Sequence, residues 1–218
     1  MNNQWYRGLF VGIDPSMNST GICVQVYDFN IKDFIYKFFY IIKNGKLTKK
    51  ETEAEQNNLD KFSYILVNRI KDSTVSNNEQ ELNKLSYFND VTDAIKEIIK
   101  KTCILYDCDI CYVCLEGISY GSSIKTRSIF DLTGLNYLIR YKLYNKSFGY
   151  VNELYIGTPQ EIKKFSVGMG NANKDLLIQT FKAIYPDFDL PKIDDIVDAY
   201  FMSTYAKHIY DTMNGPLM

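Results

Sequence analysis

Three apolar runs, each bounded by polar or turn-forming residues, open the chain. Leu9–Asp14 reads as a strand, Pro15–Thr20 as the turn that follows, and Gly21–Tyr27 as a second strand. Asp33–Lys43 is rich in aromatic and β-branched residues and predicts a third strand, so the three form an antiparallel meander with Asp14 at its first bend. Residues 44–86 then turn polar, with an acidic run at Glu51–Glu55 and an Asn/Ser/Thr-rich stretch at Ser73–Asn78. Within them Leu59, Phe62, Ile65, Leu66 and Ile70 recur at a spacing that predicts an exposed helix, part of an elaboration rather than a domain.

Beyond this region Phe88, Val91, Ile95, Ile98 and Ile99 carry the helical period, and the helix crosses to a strand ending Tyr112-Val-Cys-Leu-Glu116. A helix over Ile124–Tyr144 and a strand at Leu154–Gly157 follow, then a short helix opened by Pro159. Gly168-Met-Gly170 breaks the chain before a helix over Lys174–Ile184, capped by Asn171 or Asn173. The last helix carries Asp195, Asp198, Ala199, Met202 and Tyr205 on one side. Three strands, then helix–strand–helix–strand–helices, predict an α/β fold in the order of the RNase H-like fold: a mixed five-stranded sheet flanked by helices. Residues 1–218 are expected to form one domain with a polar insertion at about 44–86.

Composition narrows the classes. With 46% hydrophobic and 23% charged residues, wholesale disorder is excluded. The longest apolar stretch, Phe34–Ile42, is too short to cross a bilayer and contains Lys37. Met1–Arg7 lacks the layout of a signal peptide, so a cytoplasmic protein without membrane contact is expected. A net charge of −1 argues against a nonspecific polyanion binder but leaves room for a local basic face. From Lys125 to Lys146 the ionisable residues are Lys125, Arg127, Asp131, Arg140, Lys142 and Lys146, five positive against one negative. A nucleic-acid surface is expected there and around Lys163, Lys164 and Lys174, although a solvated helix face explains the first cluster equally well.

Cys103, Cys108, Cys111 and Cys114 have a spacing close to metal-binding patterns. Cys111 and Cys114, however, lie three apart on a strand and so point to opposite faces. These cysteines are read as structural.

The chemistry-bearing residues are acids. Asp14 and Glu116 each end an apolar strand, and Asp195 and Asp198 lie three apart on the last helix, where they share a face. An acid ending a buried strand is costly unless something neutralises it. Each acid alone has an ordinary reading as a turn residue, a paired strand end or a helix-dipole partner. Together they suit an oxygen-only site for Mg²⁺ or Mn²⁺, in which two ions about 4 Å apart would activate water and stabilise the leaving 3′ oxygen of a phosphodiester. Asp194, about 100° from Asp195 on an ideal helix, is set aside as a ligand.

Four segments in order bring a resemblance. Gly12-Ile-Asp14-Pro-Ser-Met-Asn-Ser-Thr20-Gly21, Tyr112–Glu116, Ile162–Lys174 with Lys163, Lys164, Gly168 and Gly170, and Asp195-Ile-Val-Asp198-Ala199 resemble the RuvC family of Holliday junction resolvases. The likeness spans nearly the whole chain apart from 44–86, an insertion unlike the compact bacterial enzymes that suggests a phage or viral member. It implies a homodimer that binds four-way DNA junctions and makes paired nicks with Mg²⁺ or Mn²⁺. It further implies Asp14, Glu116, Asp195 and Asp198 as metal ligands, Lys163 and Lys174 as catalytic-side lysines at the scissile phosphate, and Gly168 and Gly170 as a turn that lets backbone approach DNA. Ser119 stands where the bacterial enzymes carry an aromatic residue near the junction, and the adjacent Tyr120 either substitutes for it or belongs to the core.

Three other readings stay open: a less selective branched-DNA nuclease of this fold, a non-catalytic junction-binding protein, and an ATPase of the sugar-kinase type. The intact acids disfavour the second. The chain is too short for the two domains of the third.

Overall fold

Successive side chains of a strand point to opposite faces, and in the first strand both faces are apolar. In β1 (Arg7–Asp14), Leu9, Val11 and Ile13 enter one core layer and Phe10 the other. A strand buried on both sides belongs at the centre of a sheet covered by helices above and below. The computed structural model describes residues 6–70, 74–118, 126–191 and 193–215, and only the backbone of 126–128. In it β1 lies between β2 (Ser19–Asp28), to which it pairs antiparallel, and β5 (Ile110–Glu116), to which it pairs parallel. On one side β3 (Asp33–Asn44) pairs antiparallel to β2, and on the other β6 (Glu153–Gly157) pairs parallel to β5. The order β3-β2-β1-β5-β6, with β2 alone reversed, is the RNase H-like arrangement expected from the sequence.

The sheet has six strands, not five. The sixth, β4 (Phe62–Val67), pairs parallel to the outer edge of β3 and follows a short helix, α1 (Lys49–Gln56). The helical spacing of Leu59, Phe62, Ile65, Leu66 and Ile70 therefore misleads. Phe62 and Tyr64 fill one core layer while Ile65 and Val67 meet the other, a period of two. Leu59 and Ile70 lie beyond the strand ends and are exposed. The helix of this region falls earlier, where a capping box of Thr48 and Glu51 starts it.

The layer holding Leu9, Val11 and Ile13 is closed by α2 (Asn77–Tyr106) and α3 (Thr126–Tyr144), through residues such as Val91, Ile95, Ile99, Leu135 and Ile139. α2 starts well before the first residues of its apolar period, at the capping box of Ser76 and Glu79. Its first turns escape the pattern because Leu82 and Leu85 are exposed while Lys84 is buried. Lys84 Nζ is held by Asp131 at 2.8 Å and Glu81 at 2.7 Å, and Arg69 joins the same Asp131 at 3.3 Å. The other layer is closed by α4 (Pro159–Val167), α5 (Lys174–Ile184) and α6 (Ile193–Asn214). Pro159 opens α4 behind the Thr158 cap, and Asn173 rather than Asn171 caps α5. Cys111 and Cys114 face opposite layers, as the strand requires.

Candidate active site

Parallel pairing sets Ile13 opposite Leu115, so Asp14 and Glu116 leave the same end of the sheet on neighbouring strands. Clefts outside the carboxyl ends of parallel strands are the usual ligand sites of such sheets. Two glycines then bring α6 down onto this end. A Cβ on Gly12 would stand 1.9 Å from the Ala199 carbonyl oxygen, and one on Gly21 would stand 2.1 Å from the Asp195 carbonyl oxygen. Any side chain at either position would force the helix off the sheet. With α6 this low, its first turns deliver Asp195 and Asp198 beside the strand-end acids.

The electrostatics register this convergence. Asp14 is pushed well above the usual carboxylate range, first by burial, then by the charges of Glu116 and Asp198, a hydrogen bond with Glu116, and the charge of Asp195. Carboxylates crowded into a buried site disfavour their simultaneous ionisation. Asp198 is pushed up to about 6, first by burial, with Lys174 opposing the rise and the charges of Glu116 and Asp194 adding to it.

The donors are all oxygens, the set that suits a hard divalent cation. As the side chains stand, no group of three or more His, Cys, Asp or Glu among the described residues is arranged to hold an ion. The two helical acids have protein partners. The Ser19 hydroxyl donates to Asp195 Oδ2, and Lys174 Nζ lies 3.6 Å from Asp198 Oδ2.

Beside the acids a cleft of about 230 Å³ is lined by Glu116, Asp198, Lys163 and Lys174, with Ile162, Leu177 and Met202 as its apolar part. Lys174, the first residue of α5, pairs with Asp194 Oδ2 at 2.8 Å. Burial works against its charge, but Asp194, Asp198 and Asp14 outweigh burial and raise its affinity for the proton. Lys164 is exposed on α4, which ends at Gly168 in the left-handed region (φ 78°). A Cβ on Gly170 would meet the Gln160 carbonyl oxygen at 3.2 Å.

No protein-family model matches the chain, and no curated protein sequence matches it. Solved structures do. The chain is similar to Thermus thermophilus RuvC (13% identity, 96% of each chain, TM-score 0.45). It is also similar to T. thermophilus RuvC in complex with Holliday junction substrate (10% identity, 96% of each chain, TM-score 0.48). A third likeness is to the yeast mitochondrial Holliday junction resolvase Ydc2 (12% identity, 95% of this chain and 82% of that one, TM-score 0.43). At these identities the assignment of fold rests on the strand order, and the chemistry on the residues.

The structure thus brings together Asp14, Glu116, Asp195, Asp198, Lys163 and Lys174. Tyr120 and Lys125 lie outside the described residues, and of Arg127 only the backbone, in the first turn of α3, is described. In the rest of that basic stretch, Asp131 is taken up by Lys84 and Arg69, and Lys142 bonds Asn89 Oδ1 at 3.0 Å on α2. Arg140 lies over the Tyr137 ring at 4.9 Å.

Sequence reasoning missed the supports of the site. The Tyr87 hydroxyl donates to the Met17 carbonyl at 3.0 Å and holds the turn after Asp14. The buried Asn136 amide donates to the Glu116 carbonyl at 3.0 Å and holds the end of β5. Neither has a local signal, because each acts across more than one element. Ser19 lies within the Gly12–Gly21 segment singled out for its neighbours, and Asp194, set aside as a ligand, pairs with Lys174 instead.

Proposed function

We propose that this chain is a metal-dependent endodeoxyribonuclease that resolves four-way DNA junctions by paired phosphodiester nicks. One arrangement carries the reading: four carboxylates from the ends of β1 and β5 and the start of α6 converge beside two lysines at an open cleft. Asp14, Glu116, Asp195 and Asp198 would hold Mg²⁺, with Mn²⁺ as a substitute. Bound there, the metal would supply a nucleophilic water at neutral pH and charge stabilisation for the leaving 3′ oxygen.

The chain's own groups do the rest. Asp14, whose charged form burial and its acidic neighbours disfavour, would be held ionised by the cation, since coordination needs the carboxylate. Lys163 and Lys174 line the cleft beside Glu116 and Asp198, where anionic phosphate oxygens would enter, and would orient the phosphodiester there. Gly168 and Gly170, at the turn between these lysines, carry no side chain to keep the backbone from DNA. Lys164, Lys125, Arg127 and Tyr120 extend the proposed DNA surface. With this reading go one nuclease domain over residues 1–218, a homodimer that cuts two strands, and work in the cytoplasm, that of the host if the source is a virus.

The test is cleavage of synthetic four-way, three-way, flap and duplex DNA in Mg²⁺, Mn²⁺ and chelator, by the wild type and by Asp14→Asn and Glu116→Gln. Metal-dependent symmetric nicks in the four-way junction, absent from both variants, are expected. Equal rates on all branched substrates would make the protein a general branched-DNA nuclease. Tight junction binding without cleavage would make it an architectural binder.

A further inference from the structure

α6 presents two acids four residues apart, Asp194 and Asp198, and residues so spaced share a helix face. Both meet one ammonium. Lys174 Nζ lies 2.8 Å from Asp194 Oδ2 and 3.6 Å from Asp198 Oδ2, so the nearer partner is the acid outside the proposed metal-ligand set. The Asp194 side chain is 37% exposed against 28% for Asp198, which puts the stronger pair on the rim and the weaker one towards the acids. Lys174 is itself half exposed, and it stands on the first turn of α5, whose start Asn173 fixes by capping Leu176 N at 3.0 Å. Its backbone is therefore set by the cap, and its long, flexible side chain by Asp194.

We infer that Asp194 is a positioning residue for Lys174: by taking the nearer of the two ion pairs it holds the ammonium at the mouth of the cleft, beside Asp198, where an incoming phosphodiester oxygen would meet it. The inference rests on the nuclease reading for its purpose, though not for the anchor itself. A free lysine side chain samples many rotamers, and restricting it before substrate arrives removes an ordering cost from the cleavage step. Asp194 touches neither metal nor substrate in this scheme; it acts through Lys174.

Two measurements on the full chain test it. The first needs neither DNA nor metal: trace acylation by an amine-reactive ester, with each lysine read by peptide mass spectrometry. Asp194→Asn is expected to speed acylation of Lys174 about two- to fivefold relative to the other lysines, the range of a half-exposed ion pair, and Asp194→Glu to restore protection. The second is a double-mutant cycle in single-turnover junction cleavage at saturating protein. Asp194→Asn is expected to slow cleavage about tenfold with junction binding unchanged, and Lys174→Met about 100-fold. The double variant should be no slower than Lys174→Met alone.

Unchanged acylation in Asp194→Asn overturns the anchor, and costs that multiply in the double variant overturn its role in cleavage. If the wild type cuts no branched DNA, the nuclease reading falls and takes the catalytic purpose with it, while the acylation result still decides the anchor.

Discussion

The carbonyl oxygen of Ala199 leaves no room for a Cβ at residue 12: a methyl group added to Gly12 would stand 1.9 Å from it and 2.4 Å from the Ser203 amide nitrogen. Both obstacles are backbone, so no rotamer change relieves the clash. Gly12→Ala is expected to cost about 3 kcal/mol, the upper end of overpacking, because all of α6 must move. Since α6 carries Asp195 and Asp198, cleavage should fall with stability. Urea denaturation measures the first and junction cleavage the second, and an unchanged midpoint would show that the helix lies farther from the sheet than described.

Gly12 also illustrates what the sequence makes legible. The strand-end acids could be read because a carboxylate closing an apolar run is costly on its own, and the fold followed from the succession of three strands, then helix–strand–helix–strand–helices. That a glycine two residues before Asp14 exists to admit a helix nearly 190 positions later could not be read, because close approach is a tertiary fact. β4 failed for a related reason: its six residues are held by pairing to β3, and a period of two over so short a stretch is hidden by flanking Leu59 and Ile70. The first turns of α2 failed because the buried residue there is Lys84, which a hydrophobic pattern counts as exposed.

Asp14→Asn should separate stability from activity. Burial and three neighbouring acids make the charged Asp14 unfavourable in the metal-free fold, and an amide removes that burden while keeping the shape. In chelator near neutral pH the variant is expected to melt about 2–4 °C higher than the wild type, a gain on the order of 1 kcal/mol for a chain of this size. In Mg²⁺ its junction cleavage should fall by at least about 100-fold. A variant that melts lower in chelator would mean that Asp14 is stabilised by a partner other than the metal.

Lys84 supplies a prediction about the fold alone. Its buried ammonium is satisfied by Asp131 at 2.8 Å and Glu81 at 2.7 Å, and hydrogen bonds to these two, Asp131 first, hold its proton more tightly than usual. Asp131→Asn leaves the ammonium with the more exposed Glu81 and frees Arg69. The expected cost is about 3 kcal/mol, typical of breaking a buried pair. Replacing Lys84 by Met together with Asp131 by Leu should recover most of it, since an apolar pair leaves no buried charge. A double variant as unstable as Asp131→Asn would show that packing, not charge, dominates at this joint between α2 and α3.

The acid cluster should make the metal-free protein less stable as the pH rises. Asp198 is held at about 6 against an ordinary value of 3.8, and Asp14 is shifted in the same direction. A carboxyl group raised in the fold contributes stability that is fully present below its unfolded value and is lost as the pH climbs through its folded value. Asp28, Glu51 and Glu161 are shifted the other way, so their contributions are lost only as the pH falls below the ordinary carboxylate range. Between about pH 5 and pH 7 the slope therefore belongs to the cluster: in chelator the melting temperature should drop across this interval, and in Asp198→Asn the drop should shrink. Mg²⁺ competes with the same protons, so the cation should raise the melting temperature more at about pH 7.5 than at about pH 5.5. A melting temperature that rises with pH in chelator and ignores Mg²⁺ at both values would mean that these four carboxylates do not act as one site.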